Sequence, residues 1–170
     1  MTTENDELAA NIETFVVRET GADSVRVSEL RRLTGGASRE TWSLDAAVER
    51  GGVVETLALI LQRDVRGAAK SLSRPMEFAL MKAAFDEGVP APEPMWIGDE
   101  TVGAGESFFV RRVEGETLPR RLLREDAYAG AREALPAQLG ALLAQIHRID
   151  PAKHGVVGLP APPQGENAAR

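Results

Sequence analysis

The sequence contains no cysteine, which excludes disulfide bonds and thiolate metal sites and leaves the redox state of its compartment open. It has no uninterrupted apolar run long enough to cross a bilayer. It also has no excess of basic residues, since its net charge is −6 and its pI is near 5.1. Proteins that bind nucleic acid usually carry a concentrated basic face, so the charge argues against a nucleic-acid partner.

The composition is that of a soluble folded chain. Apolar residues make up 43% of its 170 residues, enough for a core, and charged residues make up 27%. The length suits one domain, or one domain and part of another. The first residues are acidic where a signal peptide would be basic, and no apolar segment follows them. We therefore expect a cytoplasmic location and no membrane partner.

The apolar spacing predicts an order of elements. A helix is predicted over about 6–19, followed by a mixed stretch and a small-residue loop. Strands are predicted over 39–44 and 53–62, a helix from Pro75 to Gly88, and two more strands over 95–98 and 107–110. After Gly115 no strand signal returns. A leucine-rich helix is predicted over about 136–149, and the last residues, from Lys153, are predicted to be a loop.

A small-residue loop between two predicted strands is the first candidate site. Glycines allow close approach of the backbone to a ligand, and successive free N–H groups in such a loop suit phosphate oxygens. The alternative is a plain hairpin turn. The glycine spacing and the absence of lysine exclude the Walker pattern and the dinucleotide fingerprint. The residues of the loop are Gly35, Gly36, Ala37 and Ser38.

Two further candidates are polar groups at the ends of elements. Gln62 and Arg63 close a buried strand, where they point into a cleft or have simply reached solvent. Glu77 lies in the first turn of a predicted helix, where the helix dipole alone would favour a carboxylate. Taken in chain order, the loop, the strands, this glutamate and a connector near residues 113–115 are typical of the small lobe of a kinase.

Several segments resemble those of one family. LTGGASRETW at 33–42 is similar to the glycine-rich loop of aminoglycoside phosphotransferase-like proteins. VPAP at 89–92 and FFVRRVEGET at 108–117 resemble later segments of that family, and LGALLAQIHRID at 139–150 resembles the helix that opens its large lobe. The similarity is greatest to the branch found with some acyl-CoA dehydrogenases. It covers most of the chain from Leu33 to Asp150.

The resemblance implies a role for each candidate. The loop residues would lie over the phosphates of ATP, and Glu77 would be the glutamate of the ion pair that holds them. The adenine pocket and the hinge would be formed by Val110, Arg111, Arg112 and Val113.

The strand between the loop and the helix departs from the family pattern. In the preferred register Gln62 stands where the family has Lys or Arg, and Arg63 beside it should face the other way. Arg63 could take the phosphate-contacting position only if a twist or bulge turned it back, so the choice between the two residues stays open here. Loss of a charge-assisted phosphate contact, worth about 1.5–3 kcal/mol, would weaken nucleotide binding.

The catalytic residues of the family are expected outside this chain. Its catalytic loop and its metal-binding aspartate follow the large-lobe helix, and we find neither a base nor a metal cluster here. His147 is interpreted as a packed core residue and His154 as a solvated loop residue. The chain is then a fragment, a shortened chain or the product of a short gene. If so, the leucine face of its last helix would be exposed, which favours self-association.

The sequence thus predicts an α+β fold with two parts. Residues 1–113 would be an N-terminal helix and a kinase-like small lobe with about five antiparallel strands and one main helix, and 114–170 would be the first helices of a large lobe. The predicted function is the ATP-binding portion of a phosphotransferase that uses ATP and Mg²⁺, with an unknown small-molecule acceptor. The alternatives are a non-catalytic module that senses nucleotide or binds a partner and a purely structural domain.

Overall fold

A computed structural model of the chain describes residues 2–33, 39–64, 72–102 and 107–159. It contains one five-stranded sheet with neighbouring strands antiparallel, in the order β1-β2-β3-β5-β4. The strands are β1 (Ser24–Leu33), β2 (Arg39–Arg50), β3 (Val53–Asp64), β4 (Pro94–Gly98) and β5 (Ser107–Arg111). The helices are α1 (Thr2–Thr20), α2 (Arg74–Asp86), α3 (Pro119–Arg124) and α4 (Ala129–Ile146). Single 3₁₀ turns cover Glu100–Val102, Asp126–Tyr128 and Pro151–His154. The predicted α+β class and five-stranded antiparallel sheet are confirmed.

The β2–β3 hairpin sets the register of the sheet. Gly51 and Gly52 form its two-residue turn, with φ of 55° and 81°, the left-handed values that such turns require and glycine adopts without strain. Arg50 pairs with Val53, and the pairing continues without a break to Arg39 opposite Asp64. Alternate side chains of β3 therefore point to opposite faces of the sheet over its whole length.

One face of the sheet is covered by α1. Apolar residues four and three apart along α1, namely Leu8, Ile12, Phe15 and Val16, are buried against Leu57, Leu59 and Leu61 of β3 and Phe109 of β5. Phe15 stacks on Phe109 with ring centroids 5.1 Å apart. The Glu13 carboxylate accepts a hydrogen bond from the Val27 backbone N–H at 2.8 Å, which joins α1 to β1. The N-terminal helix is thus part of the core.

Helix α2 lies against the opposite face. Ser73 caps it by accepting a hydrogen bond from the Met76 N–H, and Pro75 occupies its first turn, where its missing N–H costs nothing. Phe78 meets Phe108 of β5 edge to face, with centroids 6.1 Å apart. Because Phe108 and Gln62 are directly paired across β5 and β3, α2 approaches the sheet on the side that carries Gln62.

The structure differs from the predicted elements in several places, and helix α3 has no counterpart in the prediction. The first helix begins at Thr2, and the mixed stretch after it is strand β1, whose apolar positions are interrupted by charged ones. Strand β2 continues to Arg50, since its partner β3 is equally long. Helix α4 begins at Ala129, so that Pro136 lies inside it and removes one internal hydrogen bond. No helix in the described ranges has both the length and the apolar character needed to span a membrane.

Candidate functional site

Of the predicted site residues on β3 and β5, Gln62 and Val110 lie on the face of the sheet toward α2. We define the α2 face by residues whose side chains alternate with the α1-packed core: Thr41, Ser43, Asp45, Ala58, Ile60, Gln62, Phe108 and Val110. Gln62 is half-buried here, between Thr41 and Phe108 in the strand register. Within the described residues, its Oε1 is buried without a hydrogen-bond partner. An amide in this position has hydrogen-bonding capacity left for a ligand.

Arg63 lies on the opposite face, where it contacts Glu40 and Trp42. Its Nε donates to Glu40 Oε2 at 2.6 Å, and its guanidinium carbon is 5.6 Å from the centre of the Trp42 ring. Only 17% of the Arg63 side chain and 19% of the Glu40 side chain are exposed. Adjacent residues of a strand face opposite sides, so Arg63 and Gln62 lie on different faces of the sheet. The β2–β3 register contains no bulge that would turn Arg63 back to the side of Gln62. Arg63 therefore does not take the place of a basic residue at position 62.

The Glu40 carboxylate is stabilised in its ionised form. Burial raises its pKa, but the hydrogen bond and charge of Arg63, assisted by the Trp42 N–H and by Arg32, outweigh burial and hold the pKa below the ordinary 4.5. A depressed folded-state pKa means that ionised Glu40 stabilises the fold above the ordinary pKa, and that this stabilisation is lost as the pH falls through the folded value.

Replacing Glu40 by Gln should therefore lower the free energy of unfolding by about 1–3 kcal/mol at pH 7, because the partly buried hydrogen bond from Arg63 loses its carboxylate partner's charge. The difference in the free energy of unfolding between the variant and the wild type should shrink as the pH falls below 4.5, because Glu40 then becomes protonated. Urea unfolding at a series of pH values measures both effects. Glu55→Gln is the control, since Glu55 is 63% exposed and 4.0 Å from Arg50. A gap that does not change with pH would contradict this account.

Glu77 sits between two arginines on the α2 face. Its Oε1 accepts from Arg39 Nη1 at 2.7 Å, and its Oε2 accepts from Arg74 Nη1. Arg74 is in turn 2.8 Å from Asp64 Oδ1, and Arg39 pairs with Asp64 in the strand register. Among the described residues, neither Gln62 nor Arg63 hydrogen-bonds to Glu77. The cations that meet the predicted ion-pair glutamate come from the start of β2 and the start of α2.

The predicted hinge follows β5 directly. Val110 is 4% exposed and pairs with Ile60, and Arg111 Nε is 2.6 Å from Glu93 Oε2. The Arg112 N–H donates to the Ala58 carbonyl at 2.9 Å, which anchors the hinge to β3. Val113 is 68% exposed. The structure thus places three of the four predicted residues at the end of β5 in defined contacts, and leaves Val113 accessible.

The Arg112 side chain ties the hinge to β2. Its Nη1 donates to Ser43 Oγ at 3.1 Å and lies 2.9 Å from Asp45 Oδ1, while its Nε bonds to Glu114. A cavity of about 340 Å³ opens beside it, lined by Glu29, Arg31, Asp45, Arg112 and Glu114. The edge of the α2 face near the hinge is therefore polar and charged.

Metal ligands and catalytic histidines are not assembled in the described part of the chain. No group of three or more His, Asp or Glu residues there is arranged to hold a metal ion. His154 Nε2 is 2.9 Å from Glu87 Oε1, and His147 follows the end of α4 and is exposed. Exposure of His147 corrects its interpretation as a packed core residue. His154 is bound to Glu87 and is not merely solvated. The predicted loop of Gly35, Gly36, Ala37 and Ser38 lies outside the described residues.

Comparison with models of protein families shows to which family the chain belongs. The model of the phosphotransferase enzyme family matches residues 29–169. The chain belongs to this family. No curated protein matches it. The family prediction is confirmed, and the match supports a kinase-like transferase as the parent class, whereas the branch found with acyl-CoA dehydrogenases stays a prediction.

Sequence reasoning missed the polar partners that this phosphotransferase-family chain places around the predicted site. Arg39, Asp64 and Arg74 surround Glu77, and Ser43 and Asp45 hold Arg112. The sequence did contain a pattern that could have identified the partners on β2. Counting back from the glycine turn puts residue 39 opposite 64 and residue 41 opposite 62, hence on the face of Gln62. No comparable local pattern identifies Arg74, because its contacts depend on how α2 docks.

Proposed function

We propose that this chain is the ATP-binding part of a small-molecule phosphotransferase, which transfers the γ-phosphate of ATP to a hydroxyl group of its substrate. The observation that carries the proposal is Glu77, held between Arg39 and Arg74 on the same face of the sheet as Gln62 and next to β5 and its hinge. Family membership supports the reaction class. The arrangement has the carboxylate and cations that a kinase-like lobe uses to orient phosphates.

In this proposal the two ends of the α2 face bind the two ends of the nucleotide. Val110 borders the adenine pocket, and backbone groups of Arg111, Arg112 and Val113 meet the base. The loop of Gly35, Gly36, Ala37 and Ser38 is proposed to bind the phosphates, together with Gln62 and Glu77. Bound Mg²⁺ would neutralise charge on the phosphate oxygens. Its ligands and the catalytic base are proposed to come from outside this chain, and the proposed use of ATP fits the predicted cytoplasmic location.

The chain is expected to bind ATP weakly and to turn none over. Weak binding is expected because the chain has the proposed hinge and α2 face, whereas the ligands of Mg²⁺ are proposed to come from outside it. Isothermal titration with ATP and Mg²⁺ measures binding, and a phosphate-release assay measures turnover. Titration with adenosine and with guanosine is the control for recognition of the base. Rapid hydrolysis of ATP by the 170-residue chain would contradict the placement of the catalytic residues, and no detectable ATP binding would contradict the nucleotide site.

A non-catalytic module is the second candidate function. Gln62 favours it, because a sensor or partner-binding domain needs no cation poised on the β- and γ-phosphates. The two functions differ in what the coding gene encodes beyond residue 170. A His-x-Asp segment with an Asn a few residues later supports the enzyme, and a gene that encodes no such segment supports the module.

Self-association through α4 is part of the same proposal. Leu139, Leu143 and Ile146 are 58%, 53% and 45% exposed, so one side of the helix leaves apolar area in contact with water. Burial of each such side chain would contribute on the order of 1.5–3 kcal/mol. Either further residues of the family fold or a second copy of the chain would supply that burial, and light scattering of the purified chain distinguishes a monomer from a dimer.

A further inference from the structure

The α2 face carries two arginines near the end of β3, although β3 itself supplies no cation on this face. Residue 62 is neutral, and Arg63 is committed on the other face to Glu40 and Trp42. Two arginines nevertheless meet Glu77, one from β2 and one from α2. The question is which of the two can also reach a ligand.

Arg74 is committed within the protein. Its side chain is 5% exposed and bridges Asp64, itself 7% exposed, and Glu77. A guanidinium that joins two carboxylates at this depth has its charge balanced internally, and a ligand would have to displace one of them. Arg74 therefore holds α2 against the end of β3.

Arg39 is differently placed. Its side chain is 37% exposed, and in the described part of the chain its one hydrogen bond is from Nη1 to Glu77. A guanidinium carries five N–H donors in a planar fork that matches phosphate oxygens. The strand register puts Arg39 two positions before Thr41, the direct partner of Gln62, on the same face of the sheet. A group bound beside Gln62 lies within the range of this long side chain.

We propose that Arg39 supplies the phosphate-binding cation of this chain, in place of the basic residue that would stand at position 62, and that Glu77 positions it. The inference rests on the proposed ATP site. A single bond to Glu77 orients the guanidinium and leaves its other donors for phosphate, while Gln62 adds a neutral hydrogen bond. The ion pair is thus formed between β2 and α2 instead of between β3 and α2.

The test is isothermal titration of the full chain with ATP and Mg²⁺ and with adenosine. Arg39→Gln should weaken ATP binding about 10- to 100-fold, the range of a lost charge-assisted hydrogen bond, and leave adenosine binding within about twofold of the wild type. Arg39→Lys should retain most of the ATP affinity. The Arg39→Gln/Gln62→Arg double variant should regain at least half of the lost binding free energy, because it restores a cation on the same face.

Arg32→Gln is the matched control. Arg32 lies on the neighbouring strand β1, contacts the single carboxylate of Glu40 at 3.3 Å and is 53% exposed, so the variant removes one similar charge away from the site. Its ATP affinity should stay within about twofold of the wild type. Thermal unfolding of each variant identifies losses that arise from misfolding.

The outcomes separate this inference from the proposed function. If the wild type binds ATP and Arg39→Gln binds it equally well, the role of Arg39 is wrong and the nucleotide site stands. If neither Arg39→Lys nor the double variant recovers the ATP affinity that Arg39→Gln loses, Arg39 is a structural residue and the inference is again wrong. If the wild type binds neither ATP nor adenosine, the proposed function and the role of Arg39 both fail.

Discussion

Replacing Phe15 by Ala is expected to lower the free energy of unfolding by about 3–5 kcal/mol, the usual cost of removing a fully buried phenylalanine. Phe15 is 0% exposed, stacks on Phe109 and meets Trp96 edge to face at 6.4 Å. The substitution would leave a cavity between α1 and the sheet. Because backbone hydrogen bonds hold the helix and the sheet in shape, the two layers can move together only in part to fill it. Because a domain of this size is stable by about 5–15 kcal/mol, the change removes a large share of its stability.

Urea unfolding followed by far-ultraviolet circular dichroism measures the effect without depending on the fluorescence of Trp96 beside the mutation. Phe85→Ala is the matched control, since Phe85 is 38% exposed near the end of α2 and its truncation should cost about 1–2 kcal/mol. A Phe15→Ala variant as stable as the control would contradict the packing of α1 on the sheet.

Replacing Arg74 by Met is expected to lower the free energy of unfolding by a similar amount, about 3–5 kcal/mol. The substitution leaves two carboxylates of a buried ion cluster without the cation that they share. Arg74 bridges Asp64 and Glu77, and both Arg74 and Asp64 are almost fully buried. The Asp64 carboxylate would then lie in a poorly solvated position beside a thioether. Helix α2 should become less firmly held at its first turn, and the contact between Arg39 and Glu77 should weaken as a result.

Two companion variants identify the cause. Lys82→Met removes the exposed Lys82–Asp86 pair of the same helix and should change stability by about 0.5 kcal/mol or less. Arg74→Met/Asp64→Leu removes both charges and should recover part of the loss, since an apolar pair can replace a buried ion pair at little cost. Chemical denaturation gives the three free energies. If Arg74→Met proves no more costly than Lys82→Met, Arg74 does not anchor α2.

Much of the fold could be predicted because its signals are local. The glycine turn, the apolar runs of β3 and β5 and the cap and proline at the start of α2 each lie within a few residues. Strand β1 was not recognised, because charged residues interrupt its apolar positions and only pairing with β2 makes it a strand. The start of α4 was misplaced for a similar reason, since Pro136 is typical of a first turn and here lies in the interior.

The sequence by itself determined the order of most elements, the family, and the expectation that Arg63 and Gln62 face opposite ways. These follow from motif order and from the two-residue period of a strand, which need no knowledge of distant contacts. Only the tertiary structure decided which cations meet Glu77. The answer depends on where the first turn of α2 docks against the open ends of β2 and β3, a packing of segments far apart in the chain. That docking selects Arg39 and Arg74, and it leaves Gln62 Oε1 without a hydrogen-bond partner in the part of the chain that the structure describes.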